Sequence, residues 1–150
     1  MKKLLLLGLS VLVLLTSCSV SLNKEELEPS AYRAADFTGD VTMTAAESPV
    51  KPDTSSMMLS IVNATDKDCT FGVDYALEVR LDDVWYKVPP KEDMFFIMIA
   101  QVLEPGGTAQ LEASLADAYG ALPEGKYRYV KSFSFEDGGT AAAAEFEIVK

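Results

Sequence analysis

Hydrophobic and polar residues alternate along most of the chain from about residue 40 onward. A repeat of two places successive side chains on opposite faces of a β-strand, so each alternating segment predicts a strand with one buried face. The apolar positions of these segments are Val41, Met43 and Ala45; Met57, Leu59 and Ile61; Val73, Tyr75, Leu77, Val79 and Leu81; Ala109, Leu111, Ala113 and Leu115; Tyr127, Tyr129, Phe133 and Phe135; and Phe146 and Ile148.

Clusters of turn-forming residues separate the predicted strands. They read SPVKPDTS, NATDKD, LDD, VPPKED, EPGG, LPEG and EDGG, and they are rich in Pro, Gly, Asp and Asn. These residue types favour tight turns. No long amphipathic helix interrupts the pattern, so the sequence predicts an all-β domain, an antiparallel β-sandwich over residues 40–150.

The N-terminal segment has the pattern of an export signal. Two lysines precede the uncharged run 4–15, which is shorter than the roughly 20 residues that a membrane-spanning helix needs. The run ends in Leu-Thr-Ser-Cys, which resembles the lipobox of bacterial lipoprotein signal peptides. The resemblance implies cleavage between Ser17 and Cys18 and a lipid on the Cys18 sulfur. Residues 1–17 are then a signal peptide, and an ordinary secretory signal with an incidental cysteine is the alternative.

The segment after the cysteine is predicted to be a flexible linker. Residues 18–39 mix Ser, Asn, Glu, Pro and Ala without a lasting period, and Pro29 would end any short helix there. The lipid on Cys18 would hold the protein to the cell membrane, because diacyl anchors bind bilayers stably. The predicted location is the extracytoplasmic face of that membrane.

Acidic residues dominate the charge of the chain. There are 23 Asp and Glu residues against 13 Lys and Arg residues, for a formal net charge of −10. Such a surface repels phosphate backbones, so we expect no nucleic acid partner.

Two stretches resemble a known domain family. They are MLSIVNATDKDCTFGVDYALEVRLDDVWYKVPP and, later, LPEGKYRYVKSFSF. They are similar to the bacterial immunoglobulin-like domain of exported and lipid-anchored proteins of Gram-positive bacteria. The resemblance implies an Ig-like sandwich of about seven strands. It also implies no established activity for most members. The family usually has Asp-Gly before the tryptophan strand, whereas this chain has Asp82-Asp83, which leaves the turn type open.

Two aromatic residues have predicted structural roles. Trp85 is expected to fill the space between the sheets, and stacking of a ligand on the surface is the alternative. Tyr127 follows the turn made by Pro123 and Gly125. We expect its hydroxyl to bond to a loop carbonyl, as in the tyrosine corner of Ig-like sandwiches.

The sequence holds little that indicates catalysis. It contains no histidine, which excludes His-based triads and the common zinc sites. Asp66, Asp68 and Asp74 could be imagined as calcium ligands, but their spacing fits no known loop. Cys69 has no base beside it, so we expect a strand residue, with a free surface thiol as the alternative. We therefore predict no catalytic residue, no metal, no cofactor and no enzyme activity.

One apolar run does not fit a half-buried strand. Residues 94–100 are apolar on both strand faces. A strand or loop covered between the sheets would explain this pattern. The alternative is an exposed edge that binds another protein, with Phe95, Phe96 and Met98 as its contact residues.

Two classes of function stay open at this point. The favoured one is a non-enzymatic, membrane-anchored Ig-like module that binds an unknown envelope or surface protein. The other is an accessory lipoprotein that binds a small ligand or peptide for a transport or sensing system. A deep pocket around Trp85 would favour the second, whereas a filled core with an apolar patch would favour the first. A third hypothesis is that the protein serves as a structural spacer or a surface antigen.

Overall fold

A computed structural model describes residues 21–150 and contains two antiparallel sheets. The strands are β1 (Val41–Ala45), β2 (Ser56–Asn63), β3 (Cys69–Phe71), β4 (Ala76–Leu81), β5 (Val84–Lys87), β6 (Gln101–Leu103), β7 (Thr108–Ser114), β8 (Gly125–Phe135) and β9 (Gly138–Ile148). One helical turn, α1 (Ala116–Tyr119), and two 3₁₀ turns, Lys24–Glu26 and Ala34–Asp36, complete the elements. The predicted all-β sandwich is confirmed, with nine strands where the resemblance implied about seven.

The long strand β8 organises the larger sheet. One edge of β8 pairs with β9 over its whole length, and the other edge pairs first with β4 and then with β3. Strand β5 continues the sheet beyond β4, and β6 continues it beyond β3. Both therefore lie on the same lateral side of the sandwich. The smaller sheet has the order β1-β2-β7.

The core lies between the two sheets and follows the predicted alternation. Met57, Leu59 and Ile61 of β2 are buried, as are Tyr127 and Tyr129 of β8. The rings of both tyrosines stack on Phe146 of β9, with centroids 5.9 and 5.4 Å away. The aromatic stack fills the space between the sheets near β8 and β9.

The segment predicted as one strand over residues 73–81 is divided. Strand β4 begins only at Ala76, and β3 ends at Phe71. The chain bends tightly at Gly72, where an added Cβ would lie 2.5 Å from a carboxylate oxygen of Asp74. The backbone carbonyl of Asp74 accepts a hydrogen bond from Lys131 on β8 at 2.6 Å, which fixes the bend.

Most of the predicted flexible linker is packed on the sandwich. We call residues 21–39 the strap. Its residues Leu22 and Leu27 pack against the core, and Pro29 forms a β-bridge with Tyr86 of β5. The strap then crosses the outer face of the larger sheet to Thr140 of β9, whose hydroxyl bonds to the Thr38 hydroxyl at 2.8 Å. The prediction of a flexible linker is therefore wrong for residues 21–39, because scattered apolar residues dock there without any periodic pattern.

A two-residue turn joins β4 and β5. Leu81 pairs with Val84, and the intervening Asp82 and Asp83 have φ angles of 48° and 63°. Positive φ at both central positions defines a type I′ turn, which suits the twist of a hairpin. Aspartate tolerates this left-handed region better than most residues, so the hairpin is retained without glycine.

Candidate functional site

A buried ion pair lies beneath the strap. Glu78 of β4 and Arg128 of β8 are register partners, and Nε of Arg128 donates to Oε2 of Glu78 at 2.8 Å. The other carboxylate oxygen accepts a hydrogen bond from the Ser30 hydroxyl at 2.6 Å. Only 2% of Glu78 and 7% of Arg128 is exposed. The strap thus removes both charges from water and satisfies the carboxylate.

Trp85 lies outside the core, contrary to the prediction. It pairs with Arg80 in the register of β4 and β5, which places its ring on the outer face with Glu78 and Arg128. The Arg128 guanidinium lies 4.4 Å from the Trp85 ring and 5.1 Å from the Phe37 ring of the strap. The indole is half-buried beside an open cleft. Its ring face is therefore used to hold a guanidinium.

Lys131 is a buried cation on the inner face of β8. Its Nζ donates to the Asp74 carbonyl, and it lies 5.3 and 5.7 Å from the rings of Phe71 and Phe133. Burial lowers the pKa of the Lys131 amine, although the Asp74 carboxylate 4.0 Å away acts in the opposite direction. The amine holds the bend between β3 and β4, so its role is structural.

The side chains of Tyr127 and Cys69 are enclosed by the core. The Tyr127 hydroxyl donates to the Pro123 carbonyl at 2.8 Å, which is the contact expected of a tyrosine corner. Cys69 is a free, buried residue of β3, and burial raises the pKa of its thiol. The alternative of a surface thiol is therefore wrong.

The residues considered for calcium binding form no site in the described part of the chain. Within residues 21–150, no group of three or more Asp, Glu, Cys or His side chains is arranged to hold a metal ion. In the same range, no helix is both long and apolar enough to cross a membrane. The predicted cleavage and lipidation residues, Ser17 and Cys18, lie outside the described residues.

The apolar run forms an exposed loop. We call residues 94–100 the apolar loop, which precedes β6 and has no regular secondary structure. Phe95 is 92% exposed and Met98 is fully exposed, while Ile97 and Ile99 are also open to solvent. The interpretation of this run as a strand or loop covered between the sheets is wrong. Exposed apolar patches are characteristic of interaction sites, which makes this loop the candidate site.

Phe96 fixes the apolar loop to the domain. Its ring meets the Tyr75 ring edge-on at 5.2 Å, and Tyr75 meets the core residue Tyr129 in the same manner at 5.3 Å. Of the three predicted contact residues, Phe95 and Met98 point to solvent and Phe96 is half-buried. Phe96 therefore holds the loop while its neighbours stay accessible.

The exposed apolar surface continues onto the sheet edge. Val102 of β6 is 65% exposed and pairs with Thr70 of β3. A groove beside the apolar loop is lined by Thr70, Ser132 and Ser134 of the larger sheet. Ile97 and Ile99 within the predicted run, and Val102 beyond its end, are also exposed and were not among the predicted contact residues. The sequence signal for Val102 was the apolar pair Val102-Leu103, which only the polar Gln101 separates from the run 94–100.

Comparison with protein families identifies the domain. Residues 38–147 match the family described as a bacterial Ig-like domain. The chain belongs to the bacterial Ig-like domain family. This confirms the resemblance that was found in the sequence, and the match covers most of the sandwich. A comparison with curated proteins gives no match.

Two solved structures are similar to this bacterial Ig-like domain at low sequence identity. A structural-genomics target solved by X-ray crystallography shares 13% identity, with a TM-score of 0.38, covering 73% of this chain and 83% of its own. The ASH/PapD-like domain 7 of human CEP192 also shares 13% identity, with a TM-score of 0.32, covering 86% of this chain and 94% of its own. The Ig-like assignment therefore rests on the family match and the sandwich.

Proposed function

We propose that this bacterial Ig-like domain is a non-enzymatic lipoprotein, anchored on the extracytoplasmic face of the cell membrane, that binds another envelope or surface protein. The observation that carries the proposal is the exposure of Phe95, Met98 and their apolar neighbours on a loop that the core holds in place. Fully burying one such side chain contributes roughly 1.5 to 3 kcal/mol. Burial of several such side chains against a partner is enough to support a specific contact.

The polar groups of the domain favour a binding role over catalysis. Glu78 and Arg128 neutralise each other beneath the strap, and Lys131 is bound to a backbone carbonyl. In the described residues, every buried side-chain nitrogen and oxygen has a hydrogen-bond partner. The fold itself supplies the partners of these groups, which leaves none of them unpaired for chemistry.

The rival function, binding of a small ligand, has less support. A protein that binds a small ligand should have a deep pocket lined by Trp85 and the tyrosines. The cleft beside Trp85 is open, and the guanidinium of Arg128 already covers the indole ring. Ligand pockets instead enclose most of the ligand surface. The exposed apolar loop is the stronger indication.

The lipid anchor predicts the effect of one substitution. Cys18→Ala should abolish incorporation of labelled fatty acid and leave the precursor unprocessed or released from the membrane, because the sulfur is the expected attachment atom. Metabolic labelling with a clickable fatty acid, followed by membrane fractionation, measures both effects. Cys69→Ala is the matched control and should label normally. Label that persists on the Cys18→Ala protein would rule out this anchor.

The apolar loop predicts a second result. Chemical crosslinking on intact cells, followed by mass spectrometry, should recover a specific envelope protein with the wild type and not with Phe95→Ser/Met98→Ser. Val84→Ser removes an exposed apolar side chain from β5 and is the matched control. Equal capture by all three proteins contradicts the assignment of the loop, provided that the variants unfold at the wild-type urea concentration.

A further inference from the structure

We propose that the contact is made by β-strand addition: the outer edge of β6 pairs with an extended segment of the partner, whose apolar side chains pack on Val102 and the apolar loop. This inference rests on the proposed function and specifies the class of partner. In strand addition, backbone hydrogen bonds supply affinity and alternating side chains supply specificity.

The sheet edges of the described residues differ in how they are protected. The edge of β5 is covered by the strap, whose residues 28–30 make backbone hydrogen bonds to Trp85 and Lys87. The edge strand β7 exposes Thr108, Gln110 and Glu112, polar and charged residues that discourage pairing with another chain.

The edge of β6 is less protected: no segment of the described residues pairs with it, and Gln101 is the one exposed polar residue beside the exposed Val102 within the strand. It ends the pairing order of the larger sheet, so in the described residues its outer backbone groups have no strand partner. Its exposed Val102 is separated from the apolar loop by Gln101 alone, and β6 contains no lysine or proline. An unpaired, apolar sheet edge is a template for a strand from another chain.

Charge near this edge indicates what the added strand carries. Residues 91–104 contain Glu92, Asp93 and Glu104 against the single cation Lys91. The side chain of Asp74 beside the groove is also largely exposed. Lys or Arg residues between the apolar positions of the partner strand would complement these carboxylates.

The same charges disfavour two other occupants of the edge. A second copy would bring two acidic edges together within chains that each carry a formal net charge of −10. Anionic lipid headgroups would be repelled in the same way. An extended, apolar and basic protein segment fits this edge better than either.

Selection of peptides tests the proposal directly. The probe is a phage-displayed library of random linear peptides, applied to the full-length protein in nanodiscs of neutral phosphatidylcholine. The enriched peptides should alternate apolar with basic residues. Their affinity should fall about tenfold or more for Val102→Lys, because a charge on a sheet edge blocks pairing. Val84→Lys is the matched control and should bind as the wild type does.

Backbone methylation of an enriched peptide then separates strand pairing from other contacts. An added strand donates to its template through every second residue. N-methylation of alternate residues should therefore abolish binding in one register and spare it in the other. Strand addition would be overturned if N-methylation weakened binding equally in both registers, or if the selected peptides bound as helices. It would also be overturned if the peptides bound Val102→Lys as tightly as the wild type. Neutral or anionic vesicle binding, or self-association, that requires Val102 would overturn it too.

The two proposals can fail separately. A cellular partner that is lost with Phe95→Ser/Met98→Ser but retained with Val102→Lys leaves the proposed function intact and excludes strand addition. Val102 is largely exposed, so Val102→Lys should keep the wild-type urea midpoint. That midpoint is measured first, which keeps a failure to fold from being read as a failure to bind.

Discussion

Replacing Arg128 by alanine should lower the free energy of unfolding by about 3 to 5 kcal/mol, because it leaves the Glu78 carboxylate buried without its cation. The substitution also removes the guanidinium that contacts the rings of both Trp85 and Phe37, so the strap loses a contact with the sheet. Urea unfolding followed by circular dichroism measures the loss.

Two further variants identify the cause of this destabilisation. Lys126 lies on the same strand and pairs with Glu147 at 4.0 Å, but both side chains are exposed. Lys126→Ala should therefore change the free energy of unfolding by no more than about 1 kcal/mol. Glu78→Leu/Arg128→Met should recover much of the lost stability, since it removes both charges. If Arg128→Ala lowers the free energy of unfolding as little as Lys126→Ala does, burial of the Glu78–Arg128 pair does not make its loss costly, and the prediction is wrong.

Alkaline pH should destabilise the domain steeply above about pH 10, where the tyrosines of the unfolded chain begin to ionise. Burial raises the pKa of Tyr119, Tyr127 and Tyr129 well above that value in the folded state. The unfolded chain then binds fewer protons, so stability falls as pH rises. Together the three phenols should cost roughly 3 kcal/mol between pH 10 and pH 11.

One buried group acts in the opposite direction at lower pH. The pKa of Lys131 is lowered by burial, so between that lowered value and about 10.5 the unfolded chain binds more protons and stability rises with pH. Urea titrations at successive pH values in wild type and Tyr127→Phe/Tyr129→Phe separate the two effects. An alkaline decline that is equally steep in the double variant would contradict the assignment to these tyrosines.

The sheet architecture could be predicted because it depends on local alternation. Each run with a period of two buries one face, as Met57, Leu59 and Ile61 do in β2. The same rule located the β8 residues that stack on Phe146. Strand patterns carry this information within a few residues, so long-range contacts need not be known.

The covered outer face could not be predicted in the same way. Alternation places Glu78 on the polar face of β4, which is correct, but that face is buried by a strap whose Ser30 lies 48 residues earlier. A short segment with isolated apolar residues gives no periodic signal of docking. The charge pair Glu78–Arg128 becomes visible only once β4 and β8 are known to be neighbours.

The error for Trp85 has a comparable cause. A large aromatic residue is most often buried, and the register of β5 cannot be read from the alternation of its four residues. Pairing with Arg80 turns the indole to the outer face, where the Arg128 guanidinium covers it. The composition of the run 94–100 fits a covered segment as well as an exposed one. The run is exposed because the chain passes outside the sheets there.

Site-specific photocrosslinking tests the central claim most directly. A photoreactive amino acid is placed at Met98 or, as the control, at Val84 in the full-length protein, and intact cells are irradiated. Both positions are exposed and apolar, but only the first lies on the apolar loop. We predict that position 98 captures one defined envelope protein and position 84 does not. Capture of lipid alone at position 98, or the same products from both positions, would contradict a protein-binding apolar loop.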